Sequence, residues 1–295
     1  MYYDLNIPYT NDRDTSRTLS FLSSLGYSTV AVSTILNGSK LPSQLPSPPA
    51  LPTHPSSLKV LTRCTLVLDN PSQNHRLAAL SSLYSILALR PTSEKLLLQA
   101  CTSLDCDLIS LDFSQRLPFQ LKFKTVGAAL LRGLSFEICY SAAVTDLQAR
   151  RNLIQNAASL VRATRGGRGI IVSSEARQAL ALRAPNDVSN LAVLWGLSPD
   201  KAKDAVSGRC RVLVRQAEMR RHSFKGVVEV VDDGVTEEEK LERKRKAAEQ
   251  GGGAGKKGKQ GGGGNGAQAG GGQKLSKKER RAQAAAAKAE KATAS

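Results

Sequence analysis

Histidine is almost missing from this sequence: His54, His75 and His222 are the only three in 295 residues. No H-x-H, H-x-x-x-H or Cys/His cluster occurs, so a zinc or di-metal hydrolase centre has too few ligands. The five cysteines, Cys64, Cys101, Cys106, Cys139 and Cys210, are odd in number, form no C-x-x-C and fall mostly in apolar runs. That pattern is expected of reduced, buried thiols in an intracellular protein. Aromatic residues are 4% of the chain, which disfavours broad stacking platforms for single-stranded bases. No apolar run approaches 18 residues, and the N-terminus lacks the basic region and apolar core of a signal peptide, so no membrane partner is expected. No G-x-G-x-x-G follows the first strand candidate, which weakens a dinucleotide site. Ser173-Ser174-Glu175 lacks a G-x-S-x-G elbow, and no histidine is placed to activate either serine.

What the sequence does have is positive charge, and it is unevenly placed. The chain carries 42 Lys+Arg against 25 Asp+Glu, a formal +17. Residues 1–115 hold eight of each sign, whereas residues 116–225 hold nineteen basic and seven acidic side chains. The stretch from 226 adds fifteen basic and ten acidic. A basic half beside a neutral half implies a surface that faces an anionic partner.

Residues 1–225 alternate short apolar strands with amphipathic helices. Strand candidates are YYDLNI at the start, 28–36, 60–70, 84–90, 107–113, 134–141 and 169–175. Helices are expected at TLSFLSSLG with Gly26 as C′ residue, around 75–83, over SEKLLLQACTSL after a Pro91-Thr92 stop and cap, at 126–133 closed by Gly133, and at 146–165. Two more meet at Gly196, with Ser198 as N-cap and Pro199 at N1. A Pro/Ser-rich loop, 37–57, interrupts the alternation. Seven β-then-α units with continuously apolar strands point to a parallel sheet covered by helices. Both an open doubly wound sheet and a closed (β/α) barrel fit, and the unit count and length favour a TIM-barrel-like (β/α) barrel. From 226 the composition turns acidic, then mixed, then Gly/Lys/Gln-rich. This 226–295 segment is expected to be a disordered, basic, low-complexity tail, and its KRK and KKERR runs are candidate RNA-contact or nuclear-localisation elements.

Two sets of residues carry candidate chemistry. Asp4 and Asn6, two apart in YYDLNI, are expected on one strand face, where some barrel phosphoesterases begin a metal site. Asp4, Asp69, Asp112, Glu137 and Glu175 fall at strand ends, so a carboxylate-only Mg²⁺ site is an alternative, beside plain helix capping or arginine pairing. The second set is cationic and rich in arginine, the better bidentate phosphate ligand. Arg90, Lys95, Lys122, Lys124 and Arg132 are assigned to turns or helix starts, and Arg150, Arg151, Arg177 and Arg183 are chosen from charge placement. These nine are the expected RNA contacts; phosphate and shape recognition of folded RNA is favoured over base reading. No catalytic residue, metal or cofactor is assigned.

The order of motifs resembles one family. MYYDLNIPY, then YSILALRPTSEKLLLQACTSLDCDLISLD, then LPFQLKFKTVGAALLRGLSFEICYS, and then GIIVSSEARQALALRAPNDVSNLAVLWGLSPDKAKDAVS resemble the thirty-kilodalton protein subunit of ribonuclease P and ribonuclease MRP over about residues 1–222. The resemblance implies a TIM-barrel-like scaffold related to the polymerase and histidinol-phosphatase phosphoesterases, with Asn6 and Pro8 where those enzymes carry metal-binding histidines. It implies a non-catalytic nuclear and nucleolar subunit in a particle whose RNA removes the 5′ leader of precursor tRNA. The implied partners are the ribonuclease P RNA, the RNase MRP RNA, precursor tRNA and a small ferredoxin-like protein subunit. Two alternatives remain at this point: a metal-dependent phosphoesterase with a carboxylate-only site, and a general RNA-binding or ribosome-assembly factor.

Overall fold

The computed structural model describes residues 1–38, 41–42, 44–70, 76–224 and 228–229. Seven strands follow one another around a sheet in chain order: β1 (Tyr3–Pro8), β2 (Thr29–Asn37), β3 (Lys59–Leu68), β4 (Ile86–Pro91), β5 (Leu108–Ser110), β6 (Ser135–Cys139) and β7 (Ile170–Ser173). Every ladder of this seven-stranded sheet is parallel, from Tyr3 opposite Thr29 to Cys139 opposite Ser173. The ring is all but closed. The Glu175 N–H donates to the Asn6 carbonyl at 2.9 Å, and the Ser174 N–H donates to the Asp4 carboxylate at 3.1 Å. This is the (β/α) barrel expected from the strand pattern.

The helices are α1 (Asp12–Ser24), α2 (Leu77–Leu83), α3 (Glu94–Thr102), α4 (Phe123–Leu131), α5 (Ser141–Thr145), α6 (Leu147–Ala163), α7 (Pro185–Leu194), α8 (Pro199–Ala205) and α9 (Gly208–His222). Local sequence sets most of their ends. Asn11 caps α1 by accepting from the Asp14 N–H, and Asp146 caps α6 by accepting from Ala149. Gly26 and Gly133 take positive φ just past α1 and α4, as expected of C′ residues. Ser93 caps α3, not Thr92, whose hydroxyl donates instead to the Leu68 carbonyl. Ser198 stands at the N-cap of α8 but its side chain makes no capping bond. Helix α1 begins well before the expected Thr18, because its first turns are polar and carry no apolar signal.

Each strand alternates between two packing layers. Outward residues such as Cys64, Leu66, Leu87, Leu89, Phe136 and Ile138 meet the surrounding helices. Inward residues Tyr3, Leu5, Ala31, Leu61, Ile86, Ala88, Leu108 and Ile171 form a separate cluster with Cys210, Leu213 and Val214 of α9. Helix α9 had no counterpart in the expected elements, yet it fills the end of the barrel from which the strands start. The described part of the 37–57 loop is tied down: the Ser16 hydroxyl donates to Thr53, and the Tyr84 hydroxyl donates to Pro46. The segment from 230 onward, which holds most of the expected tail, lies outside the described residues, as does His75. Among the described residues no helix is long and apolar enough to cross a membrane.

Candidate nucleic-acid interface

The upper half of the barrel interior is where a (β/α) barrel usually builds its reactive site. Here an ion pair fills it. Arg63 of β3 and Glu137 of β6 are both fully buried and bind each other twice, Nη1 to Oε1 at 2.5 Å and Nη2 to Oε2 at 2.6 Å. Arg63 also donates to the Leu5 carbonyl at 2.6 Å and to Thr65 Oγ1 at 3.0 Å, and that hydroxyl lies 3.1 Å from Ser33. Asn6 reaches Glu137 from β1 at 3.4 Å. Burial alone would raise the Glu137 carboxyl, but the Arg63 charge and its hydrogen bonds win and hold it down at about 2. A carboxylate fixed in this way is a poor proton donor or acceptor near neutrality and has no oxygen facing open solvent.

Asp4 and Asn6 do not share a face. Tyr3 and Leu5 point into the barrel, so regular alternation sends Asp4 outward. A register shift between Asp4 and Ile7 then reverses the parity: Ile7 packs outside with Val30 and Val32, and Asn6 turns inward to Glu137. Asp4 is buried at the β1–β7 seam, where its Oδ1 accepts from Ser174 and Asn6 and its Oδ2 has no partner. Burial pushes its carboxyl up to about 6, against the pull of those hydrogen bonds. Asp69 and Asp112 are exposed, and Asp112 accepts from both Ser114 groups. The five carboxylates of the expected Mg²⁺ alternative are therefore not brought together in one cluster. Among the described residues no three His, Cys, Asp or Glu side chains could hold a metal ion. All five cysteines are free and buried, and burial lifts Cys64, Cys101 and Cys106 to about 12.

The nine cations chosen from sequence divide by what their donors already do. Arg90 stands at the barrel mouth but is mostly buried, pairing with Glu175 at 2.8 Å and donating to Ser110. Arg132 donates to the Ala100 and Leu104 carbonyls at the end of α3. Arg183 donates to the Leu180 and Leu182 carbonyls. These three act first as structural ties. Lys122 is exposed and pairs with Glu94 at 2.6 Å, while exposed Arg150 donates to Ala143 and Val144 at the end of α5. Lys95, Lys124, Arg151 and Arg177 are exposed. Arg177 lies on the rim of a cleft of about 720 Å³ at the mouth, shared with Arg90, Asp112, Ser114 and Glu175. The nine do not form one patch. A tighter basic group, Lys124 with Arg165, Arg168 and Arg209, lines a second cleft on the outer wall. These three arginines are not among the nine chosen from sequence; Arg165 and Arg168 lie between α6 and β7 and Arg209 lies on α9, so only the fold brings them to one cleft.

The profile of the RNase P subunit p30 family matches residues 1–222, which is the entire barrel including α9. The chain belongs to that family. It is 40% identical to the Schizosaccharomyces pombe protein named Probable ribonuclease P protein subunit 3, over 77% of this chain and 98% of that one. It is 37% identical to the Mus musculus ribonuclease P protein subunit p30, over 70% and 81% of the two chains. With the Saccharomyces cerevisiae ribonuclease P/MRP protein subunit RPP1 the identity is 33%, over 77% and 84%. The p30-family fold also matches a chain in a cryo-EM structure of archaeal ribonuclease P with mature tRNA, with a TM-score of 0.59 at 13% identity, covering 79% of this chain and all of that one. That likeness is one of fold alone.

Proposed function

We propose that this chain serves as a non-catalytic, RNA-binding protein subunit of ribonuclease P, and of RNase MRP, in the nucleus and nucleolus. In this role it holds the particle's RNA during 5′-leader removal from precursor tRNA, beside a small ferredoxin-like protein subunit. Family membership across residues 1–222 carries this proposal. The barrel interior agrees with it, since Arg63 already neutralises the one carboxylate at its centre. So does the basic excess concentrated in residues 116–225. Lys95, Lys124, Arg151 and Arg177 remain the best RNA contacts of the original nine, because their donors point to solvent rather than to carbonyls of the protein.

The decisive experiment is to purify the full chain gently from its own cells and sequence the RNA that accompanies it. One or two abundant structured RNAs, with precursor-tRNA cleavage in the same fraction, are expected. A broad spread of ribosomal fragments would instead favour a general RNA-binding factor, above all if deleting 226–295 removed all RNA affinity. With that RNA in hand, Arg151→Ala with Arg177→Ala should lower the slope of log affinity against log salt by roughly one to two units, as counterion release predicts. An unchanged slope would place both arginines against protein or bulk solvent.

A further inference from the structure

A cleft of about 600 Å³ runs along the outer wall between α4 and the turn that joins α6 to β7. Lys124, Arg165, Arg168 and Arg209 line it, and no Asp or Glu does. The ion pairs among the described residues use other cations, so these four charges are not neutralised within the fold. Arg209 Nε is buried without a hydrogen-bond partner. The guanidinium of Arg165 lies over the Phe123 ring, 4.0 Å from its centroid, and Phe123 is 44% exposed. Leu131, at the other end of α4, is 92% exposed.

The floor of this cleft is bare. Gly127 and Ala128 of α4 line it together with Ala163 and Gly169, so small residues make up much of its lining. Gly127 is the informative residue. It sits in the middle of a helix, its φ is not positive, and a Cβ built on it would meet nothing within 4 Å. Glycine at such a place costs the helix about 1 kcal/mol relative to alanine, and neither a turn nor a close approach requires it. Its effect is to leave the slot open. Gly169 has φ +68°, and a Cβ there would lie 2.5 Å from Leu130 Cδ2, so this position too carries no side chain.

We propose that this cleft takes a single unpaired nucleobase of an RNA strand, an inference that rests on the RNA-binding function above. The base lies on the Gly127–Ala128 floor against Phe123 and Leu131, and the flanking phosphates meet Lys124, Arg168 and Arg209. Charge and shape both select this occupant. A bare phosphate has no use for an apolar floor, and a paired base inside a duplex cannot reach it. The sequence favoured phosphate and shape recognition because aromatics are few; a lone slot needs only one.

The test titrates the full chain with a short labelled oligouridylate and with an RNA duplex of equal length. The wild type should prefer the single strand. Phe123→Ala and Gly127→Leu should each weaken single-strand binding about fivefold or more, leaving duplex binding and the salt slope unchanged because no charge is removed. Arg168→Gln with Arg209→Gln should instead reduce the slope by about 0.7 per lost phosphate contact. Gly127→Leu should melt no lower than wild type, since leucine is the better helix former in open space. Unchanged single-strand affinity in Gly127→Leu overturns the slot, while RNA recovered with the full chain would still uphold the subunit function. Loss of a protein partner with RNA affinity intact overturns it as well, in favour of a peptide occupant. If the wild type binds no RNA of any kind, the function itself falls first.

Discussion

Arg63 carries a full charge into the barrel, and only Glu137 makes that tolerable. Removing one member of such a pair leaves the other buried and uncompensated. Arg63→Met alone should therefore cost roughly 3–5 kcal/mol in urea unfolding of the full chain. Arg63→Met combined with Glu137→Leu should recover most of that, because the desolvation of both charges disappears together. The pair was visible in outline: VLTRCTLVL and LSFEICYS are apolar runs that each hold one charge, of opposite sign. A lone charge in a strand buried on both faces must find a counter-charge. What sequence could not supply was the closure of the barrel, which brings β3 and β6 face to face across its interior. Asp4 behaves oppositely to Glu137. Below about pH 4 it is protonated in both folded and unfolded chains; the unfolded chain ionises first as pH rises, so the fold loses stability until the folded carboxyl ionises near 6. Asp4→Asn keeps an oxygen for the Ser174 and Asn6 N–H groups. It should gain up to about 3 kcal/mol at pH 8 and almost nothing at pH 4, read from urea midpoints at the two pH values. Glu137 has a depressed carboxyl, so its contribution is present above its ordinary value of 4.5 and is lost as pH falls through about 2.

Helix α9 is the element the sequence concealed. GRCRVLVRQAEMRRH holds five arginines, which hide the spacing of Cys210, Leu213, Val214 and Ala217. Those four are buried, and the first three complete the inner cluster of the barrel. Leu213→Ala should cost about 2–5 kcal/mol, whereas Val212→Ala, at a 41% exposed site on the same helix, should stay within about 0.5 kcal/mol. Thermal melts of the two variants side by side check this. The strands were far more legible than the helices' exact starts, because β-branched apolar runs announce themselves, while polar first turns such as Asp12–Thr15 of α1 do not. The interface was legible only as a charge excess. Whether an arginine meets solvent or a carbonyl depends on side-chain contacts between elements, as Arg132 and Arg183 demonstrate.

At the scale of the whole molecule, the barrel has a single joint that is not a ladder. β1 and β7 meet through the Glu175 N–H on Asn6 and the Ser174 N–H on a side chain, while each other neighbouring pair of strands shares a ladder. A ring is only as stiff as its weakest junction. Breathing of the native protein should therefore begin as a split along this line, with β1 swinging away while β2 to β6 stay zipped. Deuterium uptake in the Ser174–Glu175 amides should outrun that in the centre of β3 under native conditions, and Asp4→Ala should widen the gap by removing one of the fasteners. A partner that bridges the two banks of the split would act as a clasp, slowing exchange there without touching the residues it protects.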